Sequence, residues 1–381
     1  MKRNLRMLAS AAALAGLAVA APGIAGASER GWWHDHGQPS HVVFVQNDNL
    51  SGNQVVAYDR ASDGSLSIAG TYATGGLGGQ LNGSVADHLA SQGGLAYDAR
   101  HRVLLAVNAG SNTISVFSVR GDDLTLRQVL PSQGTFPSSI TVSGDLAYVL
   151  NATNGGSIAG FRFDDGKLHA IAGSVRPLGL TTPTDASQFT HTPGQVAFSP
   201  DGSQLLVTTK ATTSSIDVFS VRHDGRASWT PTVTALAGTV PFALTFDASG
   251  NAVVVEAAGN VATFSLHADG SLGSIASVAT NQKASCWITG AGSSFFVSNA
   301  GSATVSSYTD AGSGALTGGA TTPTDKGTVD ASATPDGAFL YVQAGVDGIV
   351  NEFAVGLGGA LSPVGSVTVP GGAGGEGIVA L

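Results

Sequence analysis

The sequence predicts an all-β fold, a seven-bladed β-propeller of four-stranded blades whose ring is closed by the C-terminal strand. The main observation is a repeat of short strands that carries one aromatic residue per copy. Four of the six steps between successive aromatics are 44 or 45 residues, and the other two are 58 and 59. A period of about 40–50 residues built from short strands is typical of propeller blades. The aromatics are Tyr58, Phe117, Phe161, Phe219, Phe264, Tyr308 and Phe353.

Two sets of turns divide each repeat into four strands. Ser-Pro-Asp-Gly at 199–202 and Thr-Pro-Asp-Gly at 334–337 suit type I turns, because proline presets φ and glycine is favoured at the fourth position. We place these turns between the first and second strands. Asp-Gly-Ser-Leu at 63–66 and at 269–272 marks the turn between the third and fourth strands. Its leucine is expected to begin the outer strand and to pack between blades.

The first repeat lacks its inner strand. The apolar run at 42–46 aligns with the second strand of later repeats, such as the run at 104–107. Residues 374–381, at the other end of the chain, resemble the inner strands at 93–97 and 194–198. We therefore expect the C-terminal residues to complete the first blade, which removes strand edges that would otherwise be exposed.

The two long steps come from insertions at about 73–92 and about 175–192. Both fall between the outer strand of one blade and the inner strand of the next. In a propeller these connections lie on the same face as the turns between second and third strands. Long loops gathered on one face of a rigid scaffold are common places for binding sites.

The chain begins with the pattern of a secretory signal peptide. A basic start precedes an apolar core at 8–21 and a small-residue cleavage site at 25–27, as export signals require. The predicted organisation is a signal peptide at 1–27, a flexible N-terminal tail at 28–40 and the propeller at 41–381. We therefore expect a secreted, extracellular protein.

Composition limits the partners. The net charge is −9, and no cluster of lysine and arginine is present, which argues against nucleic acid and anionic membranes. After the signal peptide no apolar run approaches membrane length. The single cysteine, Cys286, cannot form an internal disulfide and is expected to be a buried structural thiol. We expect a monomer with a small-molecule substrate or ligand and no membrane span.

The segments 192–202 and 215–221 resemble the seven-bladed β-propeller lactonase family, which includes 6-phosphogluconolactonase-like and carboxymuconate-cyclase-like proteins. The resemblance extends from about residue 41 to residue 381. It implies a lactonase-like hydrolase or a cyclase whose active site lies at the mouth of the central channel and uses His, Arg and Glu side chains. The family's Pro-Arg-His-like entry to an inner strand is Pro241-Phe242-Ala243 here, and the family's glutamate aligns with Glu256 after a small shift.

Two histidines occupy matching positions. His88 lies ten residues before Asp98, and His191 lies ten residues before Asp201. Both follow an insertion and precede an inner strand, so we expect them on the same face. An imidazole there could be a general base for water or a metal ligand. The alternative is a loop histidine bonded to backbone.

Glu256 and Lys210 follow second strands in neighbouring blades. Glu256 is a candidate acid/base or metal ligand, and its alternative is a carboxylate bonded to nearby backbone N–H groups. Lys210 is a candidate for holding a substrate carboxylate or an oxyanion. Its alternative is an ion pair with Glu256.

Three further carboxylates, those of Asp87, Asp330 and Glu376, lie where they could reach the channel, although each is interpreted as a solvated loop residue. Mixed His and carboxylate lining leaves room for a divalent metal, but no short-range ligand motif requires one. No other cofactor is indicated.

Two functions remain open. The first is a secreted lactonase-like or cyclase-like enzyme acting on a small lactone or sugar acid. In it His88 or His191 activates water, Glu256 assists proton transfer and Lys210 holds negative charge. The second is a non-catalytic extracellular propeller that binds a ligand or a protein.

Overall fold

Seven antiparallel sheets form the part of the chain that the computed structural model describes, residues 41–164 and 166–381. The predicted signal peptide and N-terminal tail, residues 1–40, lie outside these ranges. The innermost strands of the seven sheets contact one another in a closed cycle. The described chain is therefore an all-β, seven-bladed ring, as the repeat predicts.

The strands alternate with short turns throughout, and each blade follows the previous one along the chain. Blade 1 contains β1 (Val42–Gln46), β2 (Gln54–Arg60) and β3 (Leu66–Ala73). Blade 2 contains β4 (Leu95–Asp98), β5 (Val103–Asn108), β6 (Thr113–Arg120) and β7 (Asp123–Pro131). Blade 3 contains β8 (Pro137–Ser143), β9 (Leu146–Asn151), β10 (Ser157–Asp164), β11 (Lys167–Ala170) and β12 (Arg176–Pro177).

The remaining blades have the same plan. Blade 4 contains β13 (Gln195–Phe198), β14 (Gln204–Thr208), β15 (Ser215–Ser220) and β16 (Thr232–Ala235). Blade 5 contains β17 (Pro241–Phe246), β18 (Ala252–Glu256), β19 (Asn260–Leu266) and β20 (Leu272–Ala279). Blade 6 contains β21 (Ser285–Ala291), β22 (Ser294–Asn299), β23 (Thr304–Asp310) and β24 (Leu316–Pro323). Blade 7 contains β25 (Thr328–Ala333), β26 (Phe339–Ala344), β27 (Ile349–Val355) and β28 (Leu361–Thr368), and the last strand is β29 (Ile378–Ala380).

Short helical turns interrupt this plan at four described places. Two single-turn α-helices, α1 (Gln188–His191) and α2 (Lys210–Thr213), lie beside blade 4. Two 3₁₀ turns span Ala109–Ser111 and Leu357–Gly359. Within the described ranges no helix has the length and apolar character needed to cross a membrane.

The ring is closed where the first and last strands meet. β29 pairs antiparallel with β1, with Val43 opposite Ala380 and Val45 opposite Ile378. The blade 1 sheet then has the order β29-β1-β2-β3, from the channel outwards. This pairing confirms the prediction that the C-terminal residues supply the missing inner strand.

The core lies between adjacent blades. Second strands are buried along nearly their whole length, because each is covered by a neighbouring blade on both faces. The leucine of the outer turn also packs there: Leu66 joins an apolar cluster with Tyr341 and Val350 of blade 7. Tyrosine hydroxyls add polar links, since Tyr341 donates to Gly64 O at 2.8 Å. The predicted role of the recurring leucine is confirmed at this position.

Candidate functional site

The two inserted loops meet on one face of the ring. They run from 74 to 94, between β3 and β4, and from 171 to 194, between β11 and β13. The Asn82 N–H donates to Gln188 Oε1, and the Asn82 side chain donates to Thr184 O, each at 2.9 Å. The predicted gathering of the two loops is therefore present as direct contact between them.

The end of the first loop, residues 87–94, crosses the mouth of the central channel, and we call it the hub segment. Its residues bond to innermost strands, or to the residues just before them, on opposite sides of the ring. Asp87, Leu89, Ala90 and Ser91 are each at most 4% exposed. The contacts are His88 N–H to Gly374 O, Ser91 Oγ to Ser138 O, Trp287 Nε1 to Ser91 O, Gln92 N–H to Gly194 O, Gln92 with both backbone groups of Ile288, and Gly93 N–H to Glu376 Oε1. The chain's own backbone thus occupies the channel mouth.

His88 lies within the hub segment and is half-buried. Its ring packs against Gly374, where a Cβ would overlap the imidazole, so only glycine fits. Burial lowers the pKa of His88, which favours the neutral imidazole. Its Nδ1 is buried and has no hydrogen-bond partner among the described residues. A buried N–H without an acceptor is costly, so we place the single proton on Nε2.

His191 closes α1 in the second loop and is also half-buried. Its Nδ1 lies 2.9 Å from Ser187 O, which can only accept. The Nδ1 atom therefore carries a proton. In the neutral ring the lone pair is then on Nε2, which has no hydrogen-bond partner among residues 41–164 and 166–381. His191 can accept a proton at that atom.

Lys210 connects the loops that carry the two histidines. Its Nζ donates to Ala90 O and Phe189 O, each at 2.6 Å, and to Thr192 Oγ1 at 2.9 Å. Ala90 is two residues after His88, and Phe189 and Thr192 flank His191 on either side. The side chain is 1% exposed. All three N–H donors of the ammonium are thus used by the protein itself.

The charged neighbour of Lys210 is Asp87 rather than Glu256. Burial lowers the pKa of Lys210 to about 7, and the Asp87 charge opposes that shift. Burial likewise raises the pKa of Asp87 to about 7, against hydrogen bonds from backbone N–H groups and the charge of Lys210. The interpretation of Lys210 as an ion-pair partner of Glu256 is wrong, because its donors go to the two loops.

Glu256 is the last residue of β18 and lies on the same face of the ring. It is buried. Burial raises its pKa, while hydrogen bonds with Thr239 and Asn260 lower it. The raised pKa brings the carboxyl group closer to the range useful for proton transfer.

Three carboxylates beneath the hub segment are buried rather than solvated. Asp330 is 5% exposed and Glu376 is 0% exposed, and the two are hydrogen-bonded to each other. Burial raises the pKa of Asp330 to about 6 and that of Glu376 well above its ordinary value. Asp48, which sequence reasoning missed, accepts the Glu376 N–H at 2.8 Å, and its burial raises its pKa to about 8. The prediction of solvated loop carboxylates at Asp330, Glu376 and Asp87 is therefore wrong.

Asp48 could have been found from the repeat. It follows β1 by two residues, as Lys210 follows β14. Both residues have left-handed backbone, with φ of 49°. The shared position marks the place where a side chain turns inwards below the loops.

Other candidate chemistry is limited in the described residues. They contain no group of three or more His, Cys, Asp or Glu side chains placed to hold a metal ion. Cys286 is buried and free, and burial raises the pKa of its thiol to about 12. The prediction of a buried structural thiol is confirmed.

Comparison with known proteins supports the resemblance seen in the sequence. Residues 172–289, which include His191, Lys210 and Glu256, match the family model described as "Lactonase, 7-bladed beta-propeller". Comparison with curated proteins gives no match.

Solved structures extend the likeness of fold over most of the chain. A protein of Bacteroides fragilis provisionally named 6-phosphogluconolactonase is 21% identical, with a TM-score of 0.68 over 89% of this chain and 97% of that one. The periplasmic gluconolactonase of Pseudomonas aeruginosa is 17% identical, with a TM-score of 0.68 over 88% and 98%. A protein of Lactobacillus plantarum is 20% identical, with a TM-score of 0.69 over 88% and 98%.

The fold and the comparisons together define the class. The described chain is a seven-bladed β-propeller of four-stranded blades. Within that class, residues 172–289, which contain blades 4 and 5 and their flanking residues, are similar to the lactonase family.

Proposed function

We propose that the protein is a secreted, monomeric lactonase-like hydrolase that opens a small lactone on the face where the two inserted loops meet. One observation carries the proposal. His88 and His191 sit half-buried in two loops that contact each other and that share one buried lysine. Two imidazoles held on one rim can supply a proton acceptor and a proton donor for the same carbonyl group.

The two histidines take different roles. His191 Nε2 accepts a proton from water as the water oxygen attacks the lactone carbonyl carbon. His88 carries its proton on Nε2 and donates a hydrogen bond to the carbonyl oxygen as negative charge develops there. The ester C–O bond then breaks, and the departing oxygen takes up the proton that His191 received. The products are a free hydroxyl group and a carboxylic acid.

Glu256 assists that last proton transfer. Its raised pKa keeps a larger fraction of the carboxyl group protonated near neutral pH than in an ordinary glutamate. It lies on the same face, at the end of a buried strand.

The test is a screen of the purified protein against a panel of lactones, with and without chelator, followed by single variants. H191A and H88A should each lower kcat/KM by about 100-fold or more, the usual scale for losing a general acid or base. H223A is the matched control, since His223 is exposed and lies in the turn between β15 and β16. No turnover of any lactone by the wild-type protein, or equal loss in H223A, would contradict the proposal.

A further inference from the structure

We propose that Lys210 is a positioning residue: its ammonium group holds the hub segment and the second inserted loop at a fixed separation, so that His88 and His191 face one substrate. The role goes beyond the proposed function, which assigns chemistry to the histidines. Only the activity part of the test below depends on that function.

The hydrogen bonds carry the inference. One N–H of Lys210 ends on Ala90 O in the hub segment, and the other two end on Phe189 O and Thr192 Oγ1 in the second loop. Hydrogen bonds from an ammonium group are short and stronger than those between neutral groups. The described hydrogen bonds that join the two loops directly are those of Asn82, which is exposed, and one from the Gln92 N–H to Gly194 O at 3.0 Å, at the base of the loops. Lys210 is the buried side chain that links the parts of the two loops that carry His88 and His191.

A tight turn in the hub segment positions the carbonyl group that accepts from Lys210. The Asp87 carboxylate accepts the N–H groups of Leu89 and Ser91, at 2.7 and 2.9 Å. This fixes a tight turn in which Ala90 has φ of 48°, and the Ala90 carbonyl then accepts from Nζ. Asp87 also places a carboxylate close enough to stabilise the charge of Lys210. The two residues form one buried arrangement.

The backbone of Lys210 is unusual in a way that serves this contact. Its φ is 49°, a left-handed conformation that is unfavourable for a residue with a Cβ. Such conformations persist where the surroundings require them and often lie at functional sites. Here the side chain passes inwards, with its Nζ 5.1 Å from the centre of the Phe242 ring. A lysine in ordinary helical backbone would leave this position along another direction.

The first part of the test is hydrogen exchange, which needs no substrate. K210M keeps the length of the side chain and removes the charge and all three donors. Amides at 88–92 and 188–192 should exchange at least 10-fold faster than in the wild type, while β22 and β26 are unchanged. K283M is the matched control, because Lys283 is exposed on the same face. Wild-type exchange of both loops in K210M would overturn the inference.

The second part is kinetic and uses whichever lactone the wild type hydrolyses. Misplacement of reacting groups by about 1 Å can cost 100-fold in rate. K210M should therefore lower kcat by about 100-fold with KM changed less than threefold, and the pKa of the catalytic base in the pH–rate profile should stay unchanged. A large rise in KM with kcat unchanged would instead show direct substrate binding by Lys210 and would contradict positioning.

A second, milder variant keeps the test decisive if K210M does not fold. T192V removes one acceptor of Lys210 and keeps the other two. It should loosen 188–192 more than 88–92 in the exchange experiment. Equal protection in T192V and wild type, together with an unfolded K210M, would overturn the proposal. If no lactone is hydrolysed, the proposed function fails, and the exchange measurements alone decide the role of Lys210.

Discussion

Removing residues 375–381 should destabilise the whole ring, and the size of the effect follows from the contacts of the closing strand. Hydrogen bonds that join this segment to the rest of the ring include Gln46 N–H to Gly377 O, Leu381 N–H to Val42 O, Ala380 N–H to Ser332 Oγ, and Gly93 N–H to Glu376 Oε1, and these four give a lower bound. At roughly 0.5–1.5 kcal/mol each they contribute about 2–6 kcal/mol. Burial of the Ile378 side chain adds about 1.5–3 kcal/mol. The expected loss of about 4–9 kcal/mol is comparable with the entire stability of many domains, about 5–15 kcal/mol.

Thermal unfolding followed by circular dichroism measures this loss. With an unfolding entropy of about 2.1 cal/mol/K per residue, a ring of about 340 residues shifts by about 1.4 °C per kcal/mol, so the truncated protein should melt roughly 6–13 °C below the full chain. A synthetic peptide of residues 374–381 should restore part of the difference, because it can pair with the exposed edge of β1. A scrambled peptide is the control. A truncated protein that melts within about 2 °C of the full chain would refute the reasoning that β29 closes the ring.

Three further predictions concern the face that carries the loops. E256Q should remove most lactone turnover while the melting temperature changes little, because the amide keeps the shape of the buried side chain. The control is E352Q, since Glu352 is a buried glutamate of β27 whose pKa is also raised. Full activity in E256Q would exclude Glu256 from the mechanism. Burial and the nearby carboxylates raise the pKa of Glu376 above its ordinary 4.5. The stability that its bound proton contributes is therefore complete below pH 4.5 and is lost as pH rises. The Tm of the wild type should fall between pH 5 and pH 8, and the Tm of E376Q should fall less over that range. An uncharged lactone should be hydrolysed with at least 10-fold higher kcat/KM than its phosphorylated counterpart, because Lys210 is buried and fully bonded; preference for the phosphorylated compound would contradict this charge argument.

The architecture could be predicted because it depends on local patterns. Turn sequences such as 199–202 act through proline and glycine dihedral preferences, and the Gly202 N–H donates to Ser199 O at 2.8 Å as a type I turn requires. Ring closure could also be predicted, because the first repeat lacks an inner strand and residues 374–381 form a surplus one. Each signal is a short stretch whose structure is set mainly by its own residues.

The site could be predicted only in outline. Matching positions in the repeat placed His88 and His191 on one face, since topology alone decides which connections share a face. The path of residues 87–94 across the channel could not be predicted, because it depends on contacts with blades that lie far away in the sequence. For Lys210, the left-handed backbone sends the side chain towards Ala90, and sequence spacing gives no information on that direction.

The hub segment also bears on how the ring unfolds. In a chain of repeats that touch only their neighbours, stability is a sum of local terms, and blades at a weak point can open one at a time. Here the hub segment bonds directly to the inner strands of blades 3 and 6, through Ser138 and Ile288. It also bonds to the residues that immediately precede the inner strands of blades 1 and 4. Opening any of these blades therefore breaks bonds that also support blades across the channel. The propeller should lose its structure in a single cooperative step rather than blade by blade.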